Sequence, residues 1–177
     1  MSEVYIAIGS NIDPNKHLHE VADLLRKEWL DIQFSHVYKT SAREVEEQPD
    51  FLNAAGRFST HQDPSDVLTL LREMEKHLSK NIAYRFGPRT LDLDLLLFGN
   101  KVLPNESVWL QHQCKPIDEQ TERLYVPHLR MHERAFVLAP LSDLISLEDL
   151  HPVFNKTWGE LLRGTDEQHC IKVEYEL

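Results

Sequence analysis

The sequence is poor in cysteine, poor in cationic residues and without long apolar runs, and each shortage closes off a class of protein. The two cysteines, Cys114 and Cys170, form no CxxC pair and no disulfide framework, a usage that fits a reducing compartment. The longest early apolar stretch, residues 4–8, follows Ser2 and Glu3, whereas a secretory leader needs a basic start and a longer apolar segment. Nowhere do about 20 apolar residues run together, as a membrane span requires. A cytoplasmic chain with no membrane partner is therefore expected. Lys and Arg number 19 against 29 Asp and Glu, and the resulting formal charge of -10 repels a nucleic-acid backbone. Nucleic acid is not an expected partner, and a phosphate ligand would have to be held by a local cluster of cations with a metal.

What is present reads as one folded unit. With 177 residues, 41% hydrophobic and 27% charged, the chain can bury a substantial core, and a single domain over residues 1–177 is expected. Residues 4–8 read as a buried strand ended by Gly9-Ser10-Asn11. Asp13-Pro14 opens a helix with Leu18, Val21, Ala22, Leu24, Leu25 and Trp29 at helical spacing. A second strand over 32–40, an acidic loop over 41–50 and a third strand over 51–60 follow. Asp63-Pro64 then opens a second helix with Val67, Leu68, Leu70, Leu71 and Met74 as its apolar face. After a polar connection over 78–85, residues 91–98 form the most strand-like segment.

That order of elements is the ferredoxin-like split βαβ arrangement. It predicts an α+β sandwich, an antiparallel sheet with helices packed on one face. Beyond Gly99-Asn100 the reading is a short strand at 101–103, a polar stretch over 104–122, an extended 124–126 and a helical pattern from Glu133 onward.

The chemistry concentrates in the fourth strand. Side chains alternate along a strand, so Asp92 and Asp94 project from one face while Leu91, Leu93 and Leu95 fill the other. Two carboxylates beside the apolar Leu95-Leu96-Leu97-Phe98 run are costly unless neutralised, and Mg2+ removes the conflict, taking one or two carboxylates plus phosphates and water. Alone, D-x-D is a weak motif that also suits a solvated acidic edge. Gly87-Pro88-Arg89 just upstream adds a turn and a guanidinium able to pair with phosphate oxygens.

Arg85-Phe86-Gly87-Pro88-Arg89-Thr90-Leu91-Asp92-Leu93-Asp94 resembles the signature of the 6-hydroxymethyl-7,8-dihydropterin pyrophosphokinase family of folate biosynthesis. Three further segments resemble that family in the same order: Tyr5-Ile6-Ala7-Ile8-Gly9-Ser10-Asn11, Gln48-Pro49-Asp50-Phe51-Leu52-Asn53, and Val126-Pro127-His128 followed by Arg134-Ala135-Phe136-Val137-Leu138. The match covers roughly residues 4–143. The resemblance implies a Mg2+-dependent diphosphotransferase that moves the terminal diphosphate of ATP to the pterin hydroxymethyl group and releases AMP. It implies two Mg2+ ions on Asp92 and Asp94, and a pterin between the rings of Phe51 and Phe136, with Asn53 and Thr40 at its polar edge. It implies ATP contacts from Arg89, His128, Arg134, Arg123, Phe86 and Glu75, with Arg89 and Lys80 aiding catalysis. A monomer or weak homo-oligomer is expected.

The chain departs from the family in places. Where the family has a basic G-R-x-R loop, residues 78–85 offer only Lys80 and Arg85. Leu129 follows His128 where an aromatic is usual, Arg43 replaces an apolar residue, and the polar stretch over 104–122 is long; from Ser142 onward the resemblance carries nothing. His112 and Cys114 are spaced like metal ligands but lack a second pair, so an ordinary loop is the reading there. Two rival functions stand beside the main one: another D-x-D phosphoryl or glycosyl transferase, which would not need two flanking rings, and a ligand-binding module that has lost the reaction.

Overall fold

The structure is a computed structural model describing residues 1–40, 49–78, 90–116, 119–120 and 122–177. Its elements are β1 (Ser2–Ser10), α1 (Pro14–Glu28), β2 (Gln33–Phe34), β3 (Tyr38–Thr40), β4 (Phe51–Thr60), α2 (Pro64–Leu78), β5 (Asp92–Phe98), α3 (Glu106–His112), a 3-10 turn at Met131–Glu133, α4 (Ala135–Leu141), α5 (Trp158–Arg163) and β6 (Cys170–Lys172). The sheet runs β5-β1-β4-β3-β6, with β2 also on β4, and every pairing is antiparallel. The first four strands in this order, with α1 and α2 between them, are the expected ferredoxin-like α+β arrangement.

Alternation along β1 sorts the core into two layers. Val4, Ile6 and Ile8 face one way and pack with Leu18, Val21 and Leu25 of α1 and Val67 and Leu71 of α2. Tyr5 and Ala7 face the other way and meet Val137, Leu138 and Leu141 of α4 and Trp158 and Leu161 of α5. Helices thus cover both faces of the sheet, where the sequence reading placed them on one. The second layer comes from α4, in the helical pattern that begins near Glu133, and from α5 beyond Ser142, both too short to show a long apolar period.

Other differences have local causes. The expected strand over 32–40 is broken at Ser35, whose hydroxyl oxygen accepts the Ala55 N–H (2.8 Å) in place of a ladder carbonyl. The strand expected at 101–103 amounts to one bridge between Leu103 and Val126. The polar stretch over 104–122 contains α3, started by Asn105, whose side chain accepts the Val108 N–H at 3.0 Å. α3 buries Trp109 and His112 on one face. His112 Nδ1 lies 2.6 Å from the Tyr125 hydroxyl, while Cys114 is exposed. α5 starts with a capping box between Thr157 and Glu160. Among the described residues no helix is long and apolar enough to cross a membrane.

Candidate active site

The site is built on the sheet face that α4 partly covers. Register places Asp92 opposite Gly9, Gly9 opposite Asn53 and Asn53 opposite Tyr38, while Asp94 lies opposite Ala7 and Ala7 opposite Ala55. Directly paired residues share a face. Asp92, Asp94, Asn53, Phe51 and Thr40 therefore stand on one surface, with Thr40 opposite Phe51 at the end of β4. Gly9 sits at its centre, where a Cβ would come within 3.3 Å of Asn53 Oδ1 and 3.9 Å of Asp92 Cβ. The missing side chain leaves a shelf between the carboxylate strand and the amide strand.

Asp92 and Asp94 are both half-buried, and the Leu93 amide between them, on the outer edge of β5, donates to Glu75 Oε1 at 2.7 Å. Glu75, an expected ATP contact, thus holds the strand that carries both aspartates. Just upstream, Ser10 Oγ donates to Thr90 O at 2.6 Å. Asn53 is buried and its Nδ2 donates to Thr40 Oγ1 at 3.0 Å, which leaves the orientation of its amide set by the neighbouring strand. Phe51 and Phe136 are both half-buried, at the start of β4 and on α4.

The cations come from the segment before α4. His128 is docked on β5 by its backbone N–H, which donates to Leu96 O at 2.9 Å. That carbonyl belongs to a bulge: Tyr5 pairs with Leu97 and Ile6 with Leu95, so Leu96 is the extra residue. Strict alternation would have placed Leu96 and Leu97 on opposite faces, whereas both pack toward α4. His128 Nδ1 accepts the Arg130 N–H at 3.3 Å, which assigns the ring proton to Nε2 in the neutral form. Burial lowers the His128 pKa, Asp94 opposes that shift, and Arg134 and Arg130 reinforce it. Burial also lowers the Arg134 pKa against the pull of Asp94, and its guanidinium lies 5.5 Å from the centre of the Phe136 ring.

Of the residues expected from sequence, the structure thus gathers Asp92, Asp94, His128, Arg134, Phe136, Asn53, Phe51 and Thr40 on or beside one face. Arg123 is exposed just ahead of residues 124–126. Lys80, Phe86 and Arg89 lie outside the described residues, as does Arg43. Two participants escaped the sequence reading. Gly9 was read only as a strand end, and Arg130, two residues past His128, shares the electrostatic neighbourhood of His128 and Arg134. Its spacing from His128 was the available signal.

The profile of the 7,8-dihydro-6-hydroxymethylpterin-pyrophosphokinase family matches residues 5–146. The chain belongs to this family. A 2-amino-4-hydroxy-6-hydroxymethyldihydropteridine pyrophosphokinase of Bacillus subtilis is 37% identical over 143 residues, covering 79% of this chain and 76% of the relative. A mitochondrial folate synthesis bifunctional protein of Pisum sativum is 36% identical over 145 residues, covering 81% of this chain and 25% of that protein. Among solved structures, wild-type HPPK-DHPS of Plasmodium falciparum superposes with a TM-score of 0.63 at 16% identity, over 92% of this chain and 44% of that one. The chain therefore spans about a quarter of the pea protein and under half of the Plasmodium chain. Residues 5–146 contain the whole candidate site, from Gly9 to Phe136, so the family match and the geometry concern the same part of the molecule.

Proposed function

We propose that this chain transfers the terminal diphosphate of ATP to the hydroxymethyl group of 6-hydroxymethyl-7,8-dihydropterin, releasing AMP, as a step of folate biosynthesis. The observation that carries the proposal is the sharing of one sheet face by a carboxylate pair and a ring-and-amide surface, with His128 and Arg134 at its border. The pterin hydroxyl oxygen attacks the β-phosphorus, the bond from that phosphorus to the α-phosphate oxygen breaks, and AMP leaves with the electron pair. The hydroxyl proton is lost to solvent.

In this reading Phe51 and Phe136 flank the flat pterin, and Asn53, oriented by Thr40, hydrogen-bonds its polar edge. His128 offers a neutral Nε2–H donor, and Arg134 offers a guanidinium steadied on Phe136. Arg89 and Arg123 are further triphosphate contacts, Phe86 borders the nucleotide and Lys80 assists the transfer. Glu75 acts by holding β5 in place.

Asp92 and Asp94 fit Mg2+ in donor chemistry: both are oxygen donors, half-buried on one face, with the side-chain-free Gly9 beside Asp92. Among the described residues no group of three or more His, Cys, Asp or Glu could hold a metal, so substrate phosphates and water would complete the coordination. Two ions held there would neutralise triphosphate charge and polarise the phosphorus under attack. The reading is of one domain, monomeric or weakly associating, in the cytoplasm.

The test is incubation with ATP, MgCl2 and 6-hydroxymethyl-7,8-dihydropterin, with nucleotide products separated by chromatography. AMP and the pterin diphosphate are expected in equal amounts, both abolished by EDTA. ADP as the nucleotide product would overturn diphosphoryl transfer.

A further inference from the structure

Behind the His128–Arg134 segment lies a box of packed rings, buried at Trp109, His151 and Trp158 and half-buried at His132 and Phe154, that the proposed reaction does not use. Trp109 of α3 is fully buried and packs against Phe154 at 5.4 Å, His151 at 5.8 Å and His132 at 6.2 Å, measured between ring centres. Its Nε1–H donates to Pro127 O at 2.6 Å, next to His128. His151 also stacks on Phe154 at 4.7 Å and meets Trp158 edge-on at 5.0 Å. An apolar box of this kind has no evident need of two imidazoles. Yet His132 Nδ1 and His151 Nε2 are both buried and have no hydrogen-bond partner among the described residues. Leaving such atoms unpaired is costly enough that native proteins rarely do so without a reason.

The partners of the other two ring nitrogens set what each orphan can do. His151 Nδ1 accepts the N–H groups of Val153 (3.1 Å) and Phe154 (3.2 Å), so its single proton sits on Nε2 and the orphan is a donor. This excludes His151 Nε2 as a ligand for a metal, which needs the lone pair. His132 Nε2 faces Glu133 Oε1 at 3.6 Å, which favours the proton on Nε2 and makes the orphan Nδ1 an acceptor. Burial lowers both pKa values, which keeps each ring at one proton. The pair is thus one donor and one acceptor.

Their spacing decides how they can be joined. The ring centres lie 6.4 Å apart. A direct N–H···N bond of about 3.0 Å, with each nitrogen about 1.1 Å from its ring centre, reaches only about 5.2 Å. Two bonds of about 2.9 Å to one oxygen place the centres about 6.4 Å apart when they meet near a water's own angle of roughly 105°.

We infer that His132 and His151 bind one internal water, which accepts a hydrogen bond from His151 Nε2–H and donates one to His132 Nδ1, and that this bridge positions the 128–134 segment. The bridge joins the 149–158 region, through His151, to the turn Met131–Glu133, which lies between His128 and Arg134. His132 and His151 touch no substrate; they are positioning residues. That functional half rests on reading His128 and Arg134 as triphosphate contacts, while the water itself does not.

Two measurements separate these halves. In the wild-type chain, long-range 1H–15N correlation should show His151 protonated at Nε2 alone, with cross-relaxation from that proton to a long-lived water. An Nδ1–H tautomer, or no water contact, overturns the bridge. His151→Asn keeps an acceptor for Val153 and Phe154 but removes Nε2, and His132→Gln removes Nδ1. Each should raise KM for ATP about tenfold, matching one buried polar group left unpaired, with kcat and the pterin KM within about twofold. The double variant should be no worse than the poorer single one, and His132→Asn, which retains an acceptor, should lie near wild type. Multiplying effects, or unchanged KM for ATP, would overturn the positioning role. Failure of the wild type to form AMP would refute the proposed function and leave the spectroscopic result standing.

Discussion

Replacing Gly9 tests whether the shelf on the sheet face is the pterin floor. In Gly9→Ala the new methyl meets Asn53 Oδ1 at 3.3 Å and Asp92 Cβ at 3.9 Å, so the amide oxygen must yield by a few tenths of an ångström. Folding should barely register the change. Removing a strand glycine gains roughly 0.5–1 kcal/mol in conformational entropy, which offsets much of the close contact. The amide is less free to adapt, because its Nδ2 is already committed to Thr40 Oγ1 at 3.0 Å. Displacing it weakens one substrate hydrogen bond, worth about 1–1.5 kcal/mol, or roughly a tenfold rise in pterin Kd. Gly9→Val adds two γ-methyls over the same shelf and should cost about 100-fold or more, as overpacking of a confined site does. The assay is pterin fluorescence titration in the presence of a non-hydrolysable ATP analogue. Binding of the analogue alone and the unfolding midpoint serve as controls. Wild-type pterin affinity in Gly9→Val would refute the placement of the pterin's polar edge at Asn53, beside the Gly9 shelf.

Asp92→Asn and Asp94→Asn should each lower Mg2+-supported kcat by roughly 100-fold or more with the fold intact, read from AMP release and circular dichroism; near-normal turnover would remove that carboxylate from the site. Arg130→Ala should raise KM for ATP by several-fold to tenfold, the range for one charged hydrogen bond, and leave the pterin KM unchanged. Trp109→Ala removes a fully buried ring and its bond to Pro127 O, and should destabilise the protein by about 3–5 kcal/mol in urea unfolding. The His151 pKa is pushed down to about 3 by burial, so below about pH 6.5 the unfolded chain binds a proton that the folded chain refuses. Its contribution is therefore fully present above pH 6.5 and falls, by at most about 1.4 kcal/mol per pH unit, as pH drops toward 3. Urea midpoints at pH 7.5, 6 and 5 should decline less steeply in His151→Asn than in wild type.

Much of the fold was legible because the first 98 residues obey simple periods. Strand β4 falls at Phe51–Thr60, where the alternation placed it, and α1 and α2 begin at Pro14 and Pro64, the first-turn prolines. The second half is built otherwise. α3 and α5 are short, so few apolar positions repeat, yet Asn105 and the Thr157–Glu160 pair are start signals that capping chemistry could have revealed. Of the helical layer on the second face, α5 belongs to that omission, while α4 lies in the pattern that begins near Glu133. Of the candidate site, the aspartate pair could be proposed from strand alternation, whereas Phe51 and Phe136 came only from the resemblance to the family. The contribution of Gly9 could not, because it depends on which residues oppose it across β4 and β5.

The run Leu95-Leu96-Leu97-Phe98 shows why strand alternation alone could not bring His128 to the strand that carries the aspartates. Four apolar residues in a row contain no alternation to betray a bulge, so the extra residue at Leu96 is invisible in composition. Its effect is nevertheless specific. With the bulge, Leu93 and Leu95 stay on the α1–α2 side, Leu96 and Leu97 turn together toward α4, and Phe98 returns to the first core. The Leu96 carbonyl then receives the His128 amide, two residues beyond Asp94. A regular ladder would leave residues up to Leu96 on their faces but move Leu97 off the α4 layer and Phe98 off the first core, and would alter the carbonyl on which His128 rests. The bulge is therefore the element that brings a carboxylate pair read from β5 and a histidine read some 30 residues later into one site.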